Sequence, residues 1–299
     1  YLIYRCIGLP FYLLNMHSTA VLRGLKYAKI TLYSAIIVSI SNVVFSLFFG
    51  LFLGYGASGI GFASSVAFLI ASIYSVTVLK KQQNHLNVSY EDVDKANMRK
   101  KFFSVGSYIV IRSLFLTLFF AYIRNRAALM SMDEIALQHI LLQLWSVGYI
   151  FVDAVAIAAQ TLIAELISKK EKYQNSLLQK ELISVTTIIS LILSVIPLIF
   201  LESFIEIFTG DRFDLFVDFR LKVMVSISLL IGCFAFLWDG VLLGLDKSKE
   251  FSLLSILSAT AGFLICSYLL MYQNSIEILW VSINVSLTVR AVLGYLYQK

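Results

Sequence analysis

Apolar runs of about 20–28 residues alternate with short polar connections along the whole chain. A helix rises 1.5 Å per residue and needs roughly 20 apolar residues to cross about 30 Å of hydrocarbon. Each run is therefore read as a membrane-crossing helix. Nine spans are predicted, at about 1–22, 30–53, 57–79, 102–123, 135–167, 181–208, 219–245, 251–272 and 275–297. The fifth and sixth exceed what a bilayer requires, so their ends are expected to project into the headgroups or to tilt. The ten-residue alternating pattern of a membrane β-barrel is absent from the sequence. The fold class is all-α, a polytopic membrane protein.

The polar connections give a topology. One alternate set holds Arg23, Lys26, Lys29, Lys80, Lys81, Lys95, Arg99, Lys100, Lys101, Lys169, Lys170, Lys172, Lys180, Lys247, Lys249 and Lys299. The opposite set holds only Arg124, Arg126, Arg212, Arg220 and Lys222, mixed with acidic residues. By the positive-inside rule the first set is cytoplasmic, which places the C-terminus inside and starts the first span outside. Residues 80–101 form a long hydrophilic connection, KKQQNHLNVSYEDVDKANMRKK, read as a cytoplasmic linker between residues 1–79 and residues 102–299. His85 belongs to it.

Ala20 to Lys29 (AVLRGLKYAK) matches Gly240 to Lys249 (GVLLGLDKSK) at an offset of 220, with Val, Leu, Gly, Leu and Lys shared. Spans one to three therefore correspond to spans seven to nine in order and direction, a parallel repeat. The second half holds six spans and the first half shows three. On this pattern about 126 residues are expected upstream, and the chain reads as a fragment of two facing six-helix bundles. The opening at Tyr1, inside an apolar run, agrees with that expectation.

Composition points the same way. The chain is 59% hydrophobic and 14% charged, with two prolines, and its mean hydropathy is +0.85. Soluble domains carry about 25% charged residues and keep a largely polar exterior. The net charge of +6 lies at span ends, so it does not imply a nucleic-acid partner. Cys6, Cys233 and Cys266 fall in apolar runs without metal-ligand spacing and are read as packing residues, with no disulfide framework or metal site.

Charges inside spans are the candidate chemistry, because each is expensive in hydrocarbon. Asp239 lies about six residues from the cytoplasmic end of its span. It reads either as a carboxylate that binds or carries something, the preferred reading, or as one half of a structural pair with Arg290. Arg112 and Asp153 lie near mid-depth on consecutive antiparallel spans and are expected to pair with one another, first as a structural clamp and second in a proton- or sodium-linked role that would need the pair to separate in one state of the cycle. Polar residues within spans, Asn15, His17, Asn42, Ser46, Ser64, Gln143, Gln160 and Asn284, read first as interhelical hydrogen bonds and second as ligands. His139 is expected at an interface. With 23 Phe, 16 Tyr and 3 Trp, a subset lining a cavity between bundles would suit bulky organic cations. No phosphate-binding loop, HExxH, nucleophile elbow or CxxC is present, so the chain is read as neither an enzyme nor an ATPase.

Several stretches resemble the multidrug and toxic compound extrusion (MATE) family. Residues 111–165 (IRSLFLTLFF…ALQHILLQLWSVGYIFVDAVAIAAQTLIAE) and 236–251 (FLWDGVLLGLDKSKEF) are similar to its DinF-like branch. RCIGLP…AVLRGLKYAK (5–29) and GIGFASSVA (59–67) resemble the end of its first bundle. The resemblance covers the whole chain as helices four to twelve of twelve. It implies a monomeric exporter of organic cations and other toxic compounds in a bacterial inner membrane, exchanging them for H⁺ or Na⁺ without another cofactor. Asp239 matches the branch's second-bundle carboxylate; the coupling candidates are Asp239 together with Asp153 and Arg112, the latter two from their place inside spans. Asn42 matches the Asn of the family's first-bundle cation site, but Ser46 stands where an Asp is expected and Ser64 replaces a Thr. Asn42, Ser46, Ser64, Gln143, Gln160, Asn284 and Arg290 are the candidates for the substrate or ion pathway. The alternatives are a flippase for lipid-linked sugars of the same superfamily and a non-transporting membrane scaffold.

Overall fold

The computed structural model describes residues 1–83, 95–169, 172–209 and 217–298. All regular structure among them is helical: α1 (Leu2–Ile7), α2 (Leu9–Gly24), α3 (Ala28–Phe45), a π-helical turn (Ser46–Phe52), α4 (Gly56–Gln83), α5 (Lys95–Ala127), α6 (Met132–Ser168), α7 (Lys172–Thr209), α8 (Phe219–Gly244), α9 (Ser248–Leu269) and α10 (Ile276–Gln298). Eight of the helical stretches are long and apolar enough to cross a membrane, the first of them Ala28–Phe52. The chain is a multi-pass membrane protein.

The count differs from the nine spans expected because residues 1–22 do not make one helix. Pro10 has no N–H to give to Cys6, and the chain steps from α1 to α2 at Gly8. Gly8 stays near helical dihedrals (φ −78°, ψ −12°), and its amide bonds the Arg5 carbonyl at 3.1 Å. The hydrophobic pattern runs on through the break, so hydropathy sees one span where the backbone makes two pieces.

Other helices outrun their apolar cores. α6 has 37 residues and α7 has 38, about 55 Å each, well beyond a 30 Å core. The start of α6 is fixed locally by Ser131 and Glu134. The Glu134 amide donates to Ser131 Oγ (3.3 Å), and the Ser131 amide donates back to Glu134 Oε2 (3.0 Å). Lys80–Gln83 and Lys95–Lys101, assigned to the linker by polarity, continue α4 and open α5 as helix. Residues 84–94, with His85, lie outside the described residues.

The chain divides into two compact units, Tyr1–Val93 and Asp94–Lys299. In the first, α4 packs against α1, α2, α3 and the π-helical turn. In the second, α8 packs against α6, α7 and α10, and α9 lies on α10 and α5.

The sequence repeat is a repeated turn. Both α2 and α8 end in a Schellman motif: the Tyr27 amide bonds Leu22 O (2.9 Å) and the Lys26 amide bonds Arg23 O (2.9 Å), while Lys247 bonds Leu242 O (2.9 Å) and Asp246 bonds Leu243 O (3.2 Å). The residue at the left-handed position is Lys26 (φ 68°) in one copy and Asp246 (φ 61°) in the other, the two non-glycine positive φ values among the described residues.

In the second unit, close approach of α6 and α8 requires small residues. A Cβ on Gly240 would strike the Ala156 carbonyl, and one on Gly244 would sit 2.9 Å from Gln160 O. This packing holds α8, and Asp239 with it, in the middle of its bundle.

Candidate functional site

Asp239 lies five residues before the end of α8 and is 6% exposed. Arg290, on α10 and 5% exposed, grips it through both guanidinium edges: Nε donates to Oδ1 at 3.2 Å and Nη2 donates to Oδ2. Arg112, from the middle of α5, adds a third bond, Nη2 to Oδ2 at 3.1 Å. Its Nε donates to Ser255 Oγ of α9 at 3.1 Å. Each guanidinium is also backed by an aromatic ring, Arg112 over Phe251 (4.3 Å) and Arg290 over Phe236 (4.8 Å). Four helices thus converge on one carboxylate.

The expected Arg112–Asp153 pair is not formed. Among the described residues Arg112 bridges to Asp239, and Asp153 makes no direct ion pair while remaining exposed on α6. Asp153 is still within electrostatic reach of both Arg112 and Arg290. The reason is competition: a carboxylate inside the bundle, out of reach of water, offers a guanidinium more than one at the surface does. The two readings of Asp239 meet here, since its pair with Arg290 exists and Arg112 joins it.

The second unit alone carries this cluster. At the repeat offset of 220, Thr19 stands where Asp239 stands and Ile70 where Arg290 stands. Thr19 Oγ1 is spent on the Asn15 carbonyl (2.8 Å).

The first unit builds a polar chain instead. Ser46 Oγ donates to Asn42 Oδ1 (3.1 Å), Asn42 Nδ2 donates to Ser64 Oγ (3.1 Å), and Arg5 Nη1 donates to Ser64 Oγ (3.3 Å). Asn42, Ser46 and Ser64 are therefore brought together, and Arg5 closes the group with a fixed positive charge. The π-helical turn begins at Ser46.

The remaining candidates separate into two kinds. Asn284 Nδ2 ties α10 to α8 through the Met224 carbonyl (3.0 Å), and Asn15 Oδ1 accepts from Ser34 of α3 (2.8 Å). Gln143 and Gln160 are exposed on α6, as are His139 and, on α2, His17. Ser255, Phe251 and Phe236 were missed: a serine and two phenylalanines in apolar runs carry no signal until an arginine is placed against them. Arg5 was missed too, although a lone charge in an apolar run is the signal that could have found it. Among the described residues no group of three or more His, Cys, Asp or Glu gathers as a metal site.

Long membrane helices around a sealed cluster of two arginines and an aspartate define a polytopic helical membrane protein with an ionic centre. No family profile matches the chain. It is 21% identical over 295 residues to Protein DETOXIFICATION 42 of Arabidopsis thaliana, covering 99% of this chain and 56% of the relative. It is 24% identical over 294 residues to Protein DETOXIFICATION 44, chloroplastic, from the same plant (97% and 55%). To DNA damage-inducible protein F of Escherichia coli K12 it is 23% identical over 290 residues (96% and 62%). The chain thus spans little more than half the length of these relatives. Among solved structures it superposes on a point mutant of MATE with a TM-score of 0.86 at 16% identity, covering 100% of this chain and 68% of that one. On an outward-facing multidrug resistance MATE family transporter of the MOP superfamily the TM-score is 0.82 at 15% identity (95% and 64%). The fold is that of MATE transporters, and the resemblance carried by the motifs holds in sequence and in fold.

Proposed function

We propose that the protein is a secondary active transporter that exports organic cations and other toxic compounds in exchange for H⁺ or Na⁺. Export proceeds by rocker-switch alternation, in a bacterial inner membrane with the C-terminus cytoplasmic, and by a single copy of the chain. The observation that carries this is the Arg112–Asp239–Arg290 cluster. Three charges held among apolar helices are costly to keep, and ion pairs inside membrane bundles mark ion and substrate pathways. The transporter fold and the detoxification and multidrug names of its relatives support the same reading.

The polar group of the first unit bears on the ion. Arg5 already supplies a cation to the Asn42–Ser46–Ser64 group, so a metal ion there would meet like charge. This favours H⁺ over Na⁺. The flippase alternative needs free basic groups in a cavity, whereas Arg112 and Arg290 are both paired to Asp239.

The test is efflux of a lipophilic fluorescent cation such as ethidium from cells expressing the protein. Extrusion that stops when an uncoupler collapses the proton gradient is expected. Retention of the dye at the level of non-expressing cells would sink the transport reading, and extrusion that follows only a Na⁺ gradient would sink the choice of ion.

A further inference from the structure

We infer that the cleft between α5 and α6 binds an aromatic compound carrying an anionic group, its ring against Phe120 and Trp145 and its charge toward Arg124. As a second substrate class, aromatic acids beside organic cations, this rests on the transport reading above. The cleft follows from how the hairpin packs. α5 and α6 are joined by residues 128–131 but take their partners elsewhere, α5 on α9 and α6 on α7 and α8. They barely touch one another and leave a cleft of about 420 Å³ near the turn, within the range that holds a small organic ligand.

Thr117, Phe120 and Arg124 line the cleft from α5 at spacings of three and four, and His139, Gln143 and Ser146 line it from α6 at four and three, one face of each helix. Trp145 meets Phe120 from the opposite helix with ring centroids 5.5 Å apart, and packs on Tyr149 at 4.0 Å. Phe120 and Trp145 are only half-buried, so both keep surface on which a flat ligand can stack.

The polar lining is one-sided in its chemistry. Arg124 is a cation, and no acidic residue among the described ones lines the cleft or pairs with it. The side chains of Thr117, Arg124 and His139 make no hydrogen bond to another described residue. Gln143 accepts from Ser146 Oγ on its side-chain oxygen (3.2 Å), which leaves the hydrogens of Nε2 uncommitted. Arg124, His139 and Gln143 can all donate, and a carboxylate or sulfonate accepts. An organic cation would meet Arg124 as like charge.

Depth gives these uncommitted donors their meaning. Gln143 lies eight residues inside the predicted span that starts at 135, and Thr117 six inside the one that ends at 123, about 12 Å and 9 Å at 1.5 Å per residue. An unpartnered polar group is costly in hydrocarbon at such depths, so the cleft holds water or a polar ligand rather than lipid tails. An anionic lipid headgroup shares the chemistry that Arg124 selects, but the aromatic pair and the deep Gln143 amide favour a soluble aromatic acid.

The test uses the purified protein in phosphatidylcholine nanodiscs without any ion gradient, titrated with dansylate and with neutral dansylamide, binding being read by energy transfer from tryptophan. The sulfonate should bind about tenfold or more tighter than the amide. Arg124→Gln should erase that preference and Arg124→Lys should keep part of it. Arg126→Gln should leave it unchanged, because the Arg126 guanidinium is held on Tyr122 (3.1 Å). Equal affinities in the parent protein, or a preference that survives Arg124→Gln, would overturn the proposal. So would phosphatidylglycerol that co-purifies with the parent and is lost in Arg124→Gln while the sulfonate binds no tighter than the amide, which would assign the cleft to a lipid headgroup. Because no gradient is present, Arg124-dependent binding in a protein that extrudes no dye would leave the ligand class standing and remove the transport reading.

Discussion

Asp239 holds two guanidiniums at once, so its removal and theirs are not equivalent. Asp239→Asn leaves Arg290 and Arg112 without an anion in the bundle, and breaking a buried pair from one side costs about 3–5 kcal/mol. Arg112→Met leaves Asp239 still gripped by Arg290 and removes one of its three charge-assisted bonds, about 1.5–3 kcal/mol before allowance for the partial exposure of Arg112, along with the bond to Ser255. Thermal unfolding in detergent should therefore rank Asp239→Asn well below Arg112→Met, and the opposite order would show that Arg112 is the true anchor. The individual charges were legible because each interrupts an apolar run, but their pairing was not. Arg112, Asp153, Asp239 and Arg290 lie at depths that allow more than one match, and only the rotation of α6 and α8 puts Asp239 inside and Asp153 outside. Ser255 and Phe251 could not be assigned before α9 was laid on α5.

At the level of helices, hydropathy located eight of the spans and merged α1 with α2, because Pro10 breaks hydrogen bonding without changing apolarity. It also ended α4 too early and started α5 too late, since polar residues such as Lys80 and Lys101 are good helix formers within a helix. The α6–α8 contact makes a sharp prediction. Gly240→Leu forces a side chain into the Ala156 carbonyl and should destabilise the second unit by about 1–3 kcal/mol or more, whereas Gly106→Ala, with open space at its Cβ, should be neutral or stabilising by up to about 1 kcal/mol. Equal unfolding midpoints for the two variants would contradict the tight contact. The repeated turn offers a converse case: Lys26→Gly removes a Cβ from a left-handed residue and should stabilise by about 1 kcal/mol. A lowered midpoint would mean that the lysine side chain matters more than its backbone.

Over the whole molecule, the repeat at an offset of 220 was readable because the two copies share Val, Leu, Gly, Leu and Lys around a helix end that closes in the same turn. The functional asymmetry lay in the same comparison, in Thr19 against Asp239 and Ile70 against Arg290. The first unit keeps the backbone plan with a neutral polar chain capped by Arg5, while the second places charge at its centre. The exporter proposed above would move protons one way and organic cation the other. The most direct measurement uses the purified protein in liposomes with an imposed pH gradient and a pH-sensitive dye in the lumen. Addition of a lipophilic cation should release protons across the membrane in proportion to cation moved. Cation movement without proton movement would contradict the account.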